Sequence, residues 1–384
     1  MNGKKVFRSA FLILVLSAWT CHCFASSEGL SFREKLGQMM CFSIKSWNGK
    51  PVTKINEGVS SFIKKYGIGN VILFSQNFKS KDEAKELVSE LKKLPKDPEK
   101  LPMMICTDQE GGIVERFRYG RGRLKNNFEI GSRKWAERAS LEKGKTIGKE
   151  LSEIGINCNL APVVDVWSNS KNAVIGKRSF GHNSAVVCRC AKNFLRGQRG
   201  FGILSVAKHF PGHGDTITDS HFGLPRVYKT LGELEELELL PFKSMIESGV
   251  DMIMTAHIEF PNIDPSTFTS RKNYKKIYTP ATMSKVILTD VLRKKLGFRG
   301  VVLTDSMEMK AISENFGEVE AVKNAILAGA NMICMPIKVE NNGDLKKLND
   351  FFESLEDLAR KDSEFAGKIN SSFKLIQKMK EKIK

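Results

Sequence analysis

Proline is scarce here, 12 in 384 residues against 31 glycines, and the chain is 41% hydrophobic and 27% charged. That profile lacks the marks of a collagen, a disordered polymer or a pure coiled coil, and leaves an ordinary globular protein. Acidic residues are also in deficit, 43 against 61 basic, for a net charge of +18. The lysines are scattered and no known nucleic-acid fold signature accompanies them, so no nucleic-acid partner is expected. Such a charge suits an acidic partner or an anionic envelope surface. Past the N-terminus no apolar run approaches the roughly 20 residues that a bilayer-spanning helix needs. Cys188 and Cys190 have no second closely spaced pair beside them, which excludes an ordinary zinc knuckle. Cys41, Cys106, Cys158 and Cys334 sit inside apolar runs, where a cysteine behaves as a small buried hydrophobe. Histidine is rare too. Only six occur, and three of them fall within the 13 residues from His209 to His221.

The N-terminus reads as an export signal over residues 1–25. Lys4, Lys5 and Arg8 precede a short apolar run at 10–19 (AFLILVLSAW), and Cys23-Phe24-Ala25 offers cleavage after Ala25. The run is too short for a stable membrane span. Acylation at Cys21 or Cys23 is a variant of this reading, although Trp19 and His22 spoil the small-residue pattern that it requires. The expectation is an exported mature chain over 26–384, periplasmic, in the envelope or secreted, and monomeric. Membrane attachment follows only if one of those cysteines is lipidated.

Eight short apolar runs recur along the rest of the chain, at 38–44, 70–75, 103–108, 156–166, 203–210, 251–258, 300–305 and 331–336. Each is brief and continuous rather than alternating, the pattern of strands buried on both faces of a parallel sheet. Helical stretches lie between them, at 81–93, 133–154, 185–199, 231–249, 282–296 and 318–329. Eight strands alternating with helices read as a single (β/α)8 TIM-type barrel. An open doubly wound sheet would want a glycine-rich nucleotide turn after an early strand, and none is present. The lysine-rich 373–384 reads as a terminal amphipathic helix on the barrel wall with its lysines in solvent.

Barrel chemistry belongs at the C-terminal ends of the strands. There the sequence places Asp108, Asp165, Lys208-His209, His257 and Asp305. The loop after the fifth strand runs KHFPGHGDTITDSH, and its Pro-Gly and Gly214 keep it from being helical. Three readings of it compete on the residues alone. His209, His213, Asp215, Asp219 and His221 are all competent metal ligands. The loop could instead be a structural one pinned by hydrogen bonds. Or Asp219, two residues before His221, orients an imidazole for acid–base work.

Seven segments in order, TDQEGGIVERF, LAPVVDV, NAVIGKRSFG, KHFPGHGDTITDSH, MTAHIEFPNIDPS, LGFRGVVLTDSMEM and AGANMICMP, resemble glycoside hydrolase family 3. More narrowly they resemble its compact bacterial β-N-acetylglucosaminidases of the NagZ type. The resemblance implies a retaining exo-β-N-acetylglucosaminidase that releases terminal β-linked N-acetylglucosamine, with peptidoglycan fragments as the expected source, and it implies no cofactor and no metal. It assigns Asp305 as nucleophile, His221 as acid/base and Asp219 as its dyad partner. Asp108, Arg116, Arg178, Lys208 and His209 become the groups that bind the non-reducing sugar. His213 falls to loop structure, and Asp165 and His257 to support of the pocket floor. Two departures stand out. Asn331 replaces the family's usual Asp, a change expected to be harmless, and the basic stretch 267–279 is longer than the family's link and is expected to border the pocket. A β-N-acetylglucosaminide phosphorylase, a metal-dependent barrel hydrolase and a non-catalytic sugar-binding envelope protein remain as alternatives.

Overall fold

A computed structural model of the chain describes residues 30–97, 101–217 and 223–383. The export signal read over 1–25, with Cys21 and Cys23, lies outside the described residues.

Eight parallel strands follow one another around a barrel: β1 (Met40–Ser43), β2 (Asn70–Leu73), β3 (Met104–Thr107) and β4 (Cys158–Asn159), then β5 (Leu204–Phe210), β6 (Met252–Thr255), β7 (Val301–Leu303) and β8 (Ile333–Cys334). Each pairs with its neighbour in sequence, and β8 returns to pair with β1 through Met40↔Ile333 and Cys41↔Cys334. A bridge at Leu303↔Met332, with Asn331 N donating to Val302 O, ties β7 to β8 and closes the ring. All eight expected strands are present, and they are continuous apolar runs because side chains on both faces are buried, inside the barrel or under the helices. Cys41, Cys106, Cys158 and Cys334 are buried free thiols on four of these strands. Their side chains fill space as small hydrophobes do.

Helix ends follow their capping residues. Ser31 and Glu34 form a reciprocal capping box at the start of Phe32–Met39, and Gly67 and Gly155, both with positive φ, end Glu57–Tyr66 and Ala136–Ile154. The expected 231–249 helix is two, Leu231–Glu236 and Leu239–Glu247. Among the described residues no helix is long and apolar enough to cross a membrane.

Two expectations fail at the C-terminal end. The last helix is longer, Ser363–Lys380, and its lysines are not all in solvent. Lys380 is fully buried under the N-terminal mouth of the barrel, where its Nζ donates to Gln38 Oε1 (2.8 Å) and Gly69 O (2.7 Å). Asn331, just before β8, is tied to its surroundings on both sides of its amide. Its Oδ1 accepts from Arg293 and from Val302 N, and its Nδ2 donates to Ser372 Oγ, so it joins β7 to the last helix.

Candidate active site

The strand ends open into a pocket of about 470 Å³ at the C-terminal face of the barrel. Asp108, Arg116, Arg178, Lys208, His209 and Asp305 all line it, so six of the eight residues assigned from the sequence meet in one place. The other two, Asp219 and His221, lie outside the described residues.

The segment after β3 builds one wall. Gly111 and Gly112, with φ of 82° and 74°, reverse the chain between Gln109–Gly111 and Val114–Glu115. A Cβ on Gly111 would lie 2.6 Å from Lys143 Cε, and one on Gly112 2.7 Å from Asn126 Cβ, so only glycine fits this tight, left-handed turn. Gln109 zips the hairpin shut, with its Nε2 donating to Phe117 O and its Oε1 accepting from Arg116 N. The turn thereby brings Arg116 back beside Asp108, whose Oδ2 accepts from the guanidinium at 2.9 Å.

From there charges of alternating sign run across the wall. Lys208 Nζ donates to Asp108 Oδ1 (2.8 Å) and pairs with Glu110 Oε1 (2.9 Å). Arg178 grips Glu110 with two parallel bonds, Nε to Oε2 at 2.9 Å and Nη2 to Oε1 at 2.8 Å. Three cations and two anions are thus held in a fixed row, the bidentate geometry that arginine favours. Burial alone would push both carboxyls up. Lys208 and Arg116 outweigh it at Asp108, and Arg178 and Lys208 outweigh it at Glu110, so the Asp108 carboxyl is held below the usual range and the Glu110 carboxyl well below it. Burial likewise pulls at the Lys208 ammonium, but Asp108 and Glu110 raise it.

A second layer sits beneath. Asp165 is buried and accepts from His209 N, from His209 Nδ1 at 2.7 Å and from His213 N at 2.7 Å, so one carboxylate fixes two histidines of the β5 loop. Burial, with His209 beside it, pushes the His213 imidazole down to about 4, so it is neutral at pH 7. His213 Nδ1 meets Thr216 Oγ1 and its backbone O accepts from Asn172, which suits a residue that shapes the loop. His257 bonds Thr282 Oγ1 and Ser306 O, under the turn that carries Asp305. Among the described residues no group of three or more His, Cys, Asp and Glu side chains is placed to hold a metal ion.

Asp305 stands apart from the charged row. It follows β7, and its Oδ1 accepts from Ser306 N at 2.8 Å. It makes no ion pair among the described residues.

Sequence reasoning passed over Glu110, although it sits two residues beyond Asp108 at a strand end, in the same motif. It also passed over Lys45 and Glu308, which line the pocket. The basic stretch 267–279 does not line it. Thr267–Thr269 pairs with Lys276–Tyr278 in a hairpin that leans on the segment after β7, with Ser270 on Asn315 and Arg271 on Ser313.

The chain finds its counterparts among known proteins. A family model, the glycosyl hydrolase family 3 N terminal domain, matches residues 31–368. Beta-hexosaminidase A of Pseudoalteromonas piscicida is 36% identical over 379 residues, which are 95% of this chain and 63% of that protein. A beta-hexosaminidase of Neisseria meningitidis is 35% identical over 274 residues, 69% of this chain and 70% of its own length. A solved family 3 β-N-acetylglucosaminidase from a Paenibacillus species superposes with a TM-score of 0.80 at 32% identity, covering 92% of this chain and 62% of that one. This chain therefore spans under two thirds of the Pseudoalteromonas and Paenibacillus proteins. With the barrel, the motif order and this match over most of its length, the chain belongs to glycosyl hydrolase family 3.

Proposed function

We propose that this chain is a retaining exo-β-N-acetylglucosaminidase, a β-N-acetylhexosaminidase acting on terminal β-linked N-acetylglucosamine. One observation carries the reading. At the end of β7 the pocket holds Asp305, a carboxylate that makes no ion pair among the described residues, and on its other side a row of charged groups suited to sugar hydroxyls. A retaining glycosidase needs that division, a nucleophile at the anomeric carbon and a rigid grip on the ring.

In this mechanism Asp108, Arg116, Arg178, Lys208 and His209 bind the non-reducing sugar. Asp305 attacks the anomeric carbon as the bond to the leaving oxygen breaks, and His221 gives that oxygen its proton. A glycosyl–Asp305 ester results. In the second step His221 takes a proton from water, the water oxygen attacks the same carbon, and Asp305 leaves as carboxylate. Asp219 stabilises the imidazolium that protonates the leaving oxygen in the first step and that re-forms when water gives up its proton in the second.

The proposed substrates are peptidoglycan fragments, in which the sugar is linked to N-acetylmuramic acid. The net charge of +18 suits anionic muropeptides. Residues 1–25 are proposed to direct export and 26–384 to form a single monomeric catalytic domain.

The test compares matched aryl β-glycosides of N-acetylglucosamine and glucose, with Asp305→Ala as control. Turnover of the N-acetylglucosaminide, lost in the variant and unchanged by phosphate or a chelator, is expected. Phosphate dependence would favour a phosphorylase and chelator sensitivity a metal enzyme. A folded protein turning over neither glycoside would favour a sugar-binding role.

A further inference from the structure

The pocket has a second wall that the charged row does not reach. The row rises from β3, the chain after β4, and β5. Across the ring, β7, β8 and β1 contribute Asp305, Glu308, Met309, Met335 and Lys45. The turn after Asp305 is braced against the end of β8, with Met307 N donating to Cys334 O at 3.0 Å. Glu308, three residues past Asp305, is half-buried and lines the cavity. Among the described residues its carboxylate accepts no hydrogen bond and makes no ion pair. Burial pushes this carboxyl up, while Lys45 and Lys338 act to lower it. A partly desolvated acceptor with open lone pairs in a pocket is incomplete until a donor arrives.

The position of the nucleophile decides which donor that is, on the reading of the site proposed above. Asp305 must lie against the anomeric carbon, and the leaving oxygen departs on the opposite face. The hydroxyls at carbons 3, 4 and 6 are turned to the charged row across the pocket. What remains beside the Asp305 wall is the substituent on carbon 2, next to the anomeric centre. In an N-acetylhexosaminide that substituent offers one N–H and one methyl. Met309 and Met335 supply apolar surface on the same wall. Met335 is held there with φ at 47°, its N donating to Cys41 O at 2.7 Å. A left-handed backbone at a non-glycine residue is costly and needs its surroundings to hold it.

We propose that Glu308 determines specificity at carbon 2, its carboxylate accepting the N–H of the 2-acetamido group while Met309 and Met335 pack against the acyl methyl. A site that hydrogen-bonds a substrate N–H discriminates strongly against an analogue lacking it, because its own acceptor is then left unpaired.

The experiment crosses a change in the enzyme with a change in the substrate. Wild type, Glu308→Ala and Glu308→Gln are assayed on an aryl N-acetyl-β-glucosaminide and on the matched aryl 2-deoxy-β-glucoside. Glu308→Ala is expected to lower kcat/KM about 30-fold on the first and less than about 3-fold on the second, with Glu308→Gln in between. Retained turnover of the 2-deoxyglycoside shows that the variants are folded. Equal losses on both substrates, or no loss on the acetamido substrate, overturn the assignment of Glu308 and leave the glycosidase reading intact. A wild-type protein without turnover of either glycoside overturns both.

Discussion

Glu110 is the keystone of the charged row, and replacing it with glutamine tests the whole arrangement. The carboxylate is 1% exposed and accepts three charge-assisted bonds, two from Arg178 and one from Lys208. Without it Arg178 keeps the Val174 carbonyl at 3.2 Å, and Lys208 keeps Asp108. Removing one partner of a buried ion pair costs about 3–5 kcal/mol, and because glutamine preserves the volume and one acceptor oxygen, the loss should fall near 3 kcal/mol. With an unfolding entropy of about 2.1 cal/mol/K per residue, that lowers Tm by roughly 4 °C. The pH dependence gives a second handle. The folded-state pKa of Glu110 lies below its unfolded value. Its contribution is therefore complete above about pH 4.3, the unfolded value, and is lost as pH falls toward the folded one. The gap between wild type and Glu110→Gln should be full at pH 7 and narrow below about pH 4.3. Urea denaturation followed by circular dichroism from pH 7 to pH 3 measures it. A gap under about 1 kcal/mol at pH 7, or one that stays constant through the acid range, would refute the reasoning.

Two further changes test the layers beneath the row. Asp165→Asn puts an amide N–H where His209 and His213 present donors, and should cost about 2 kcal/mol of transition-state binding, roughly 30-fold in kcat/KM on an aryl N-acetylglucosaminide. Activity within about 3-fold of wild type would remove Asp165 from the positioning of His209. Burial pushes the Lys380 ammonium down to about 7. The unfolded chain holds that proton up to about pH 10.4, so between the two values raising the pH stabilises the fold, and Lys380→Met should abolish this term. The Tm of wild type minus that of Lys380→Met is expected to rise between pH 7 and 10, and parallel curves would show that Lys380 does not titrate in that window.

The barrel was legible because its signal is local. A strand buried on both faces is a continuous apolar run in any context, and each of the eight runs holds a strand, so the ends bearing Asp108, Lys208 and Asp305 could be read directly. Glu110 is different in kind. Its role depends on Arg178, 68 residues away, which meets it only because the chain after β4 folds back over the strand ends. The buried Lys380 gives no local sign either. An amphipathic helix rich in lysine is ordinarily solvated, and where its last turn docks is decided by the barrel mouth, where Gln38 and Gly69 offer acceptors. The basic hairpin was misplaced for a related reason. Following a strand at the catalytic face does not mean facing the pocket, and its contacts with Asn315 and Ser313 tether it to the segment after β7.

What separates Asp108, Glu110, Asp165 and Asp305, four acidic residues in and around this pocket, is their company rather than their chemistry. Asp108 and Glu110 are each held between two cations, and a carboxylate so neutralised is a poor nucleophile and a good rigid acceptor. Asp165 spends its lone pairs on the His209 and His213 donors. Asp305 alone of these four has no ion pair among the described residues and keeps an oxygen free of any protein donor. A carboxylate so placed is what an oxocarbenium-like transition state calls for at one face of the sugar. Placing a cation beside Asp305 would make its surroundings like those of Asp108 and Glu110, so the proposed division between nucleophile and binding groups rests on the sorting of partners across the two walls.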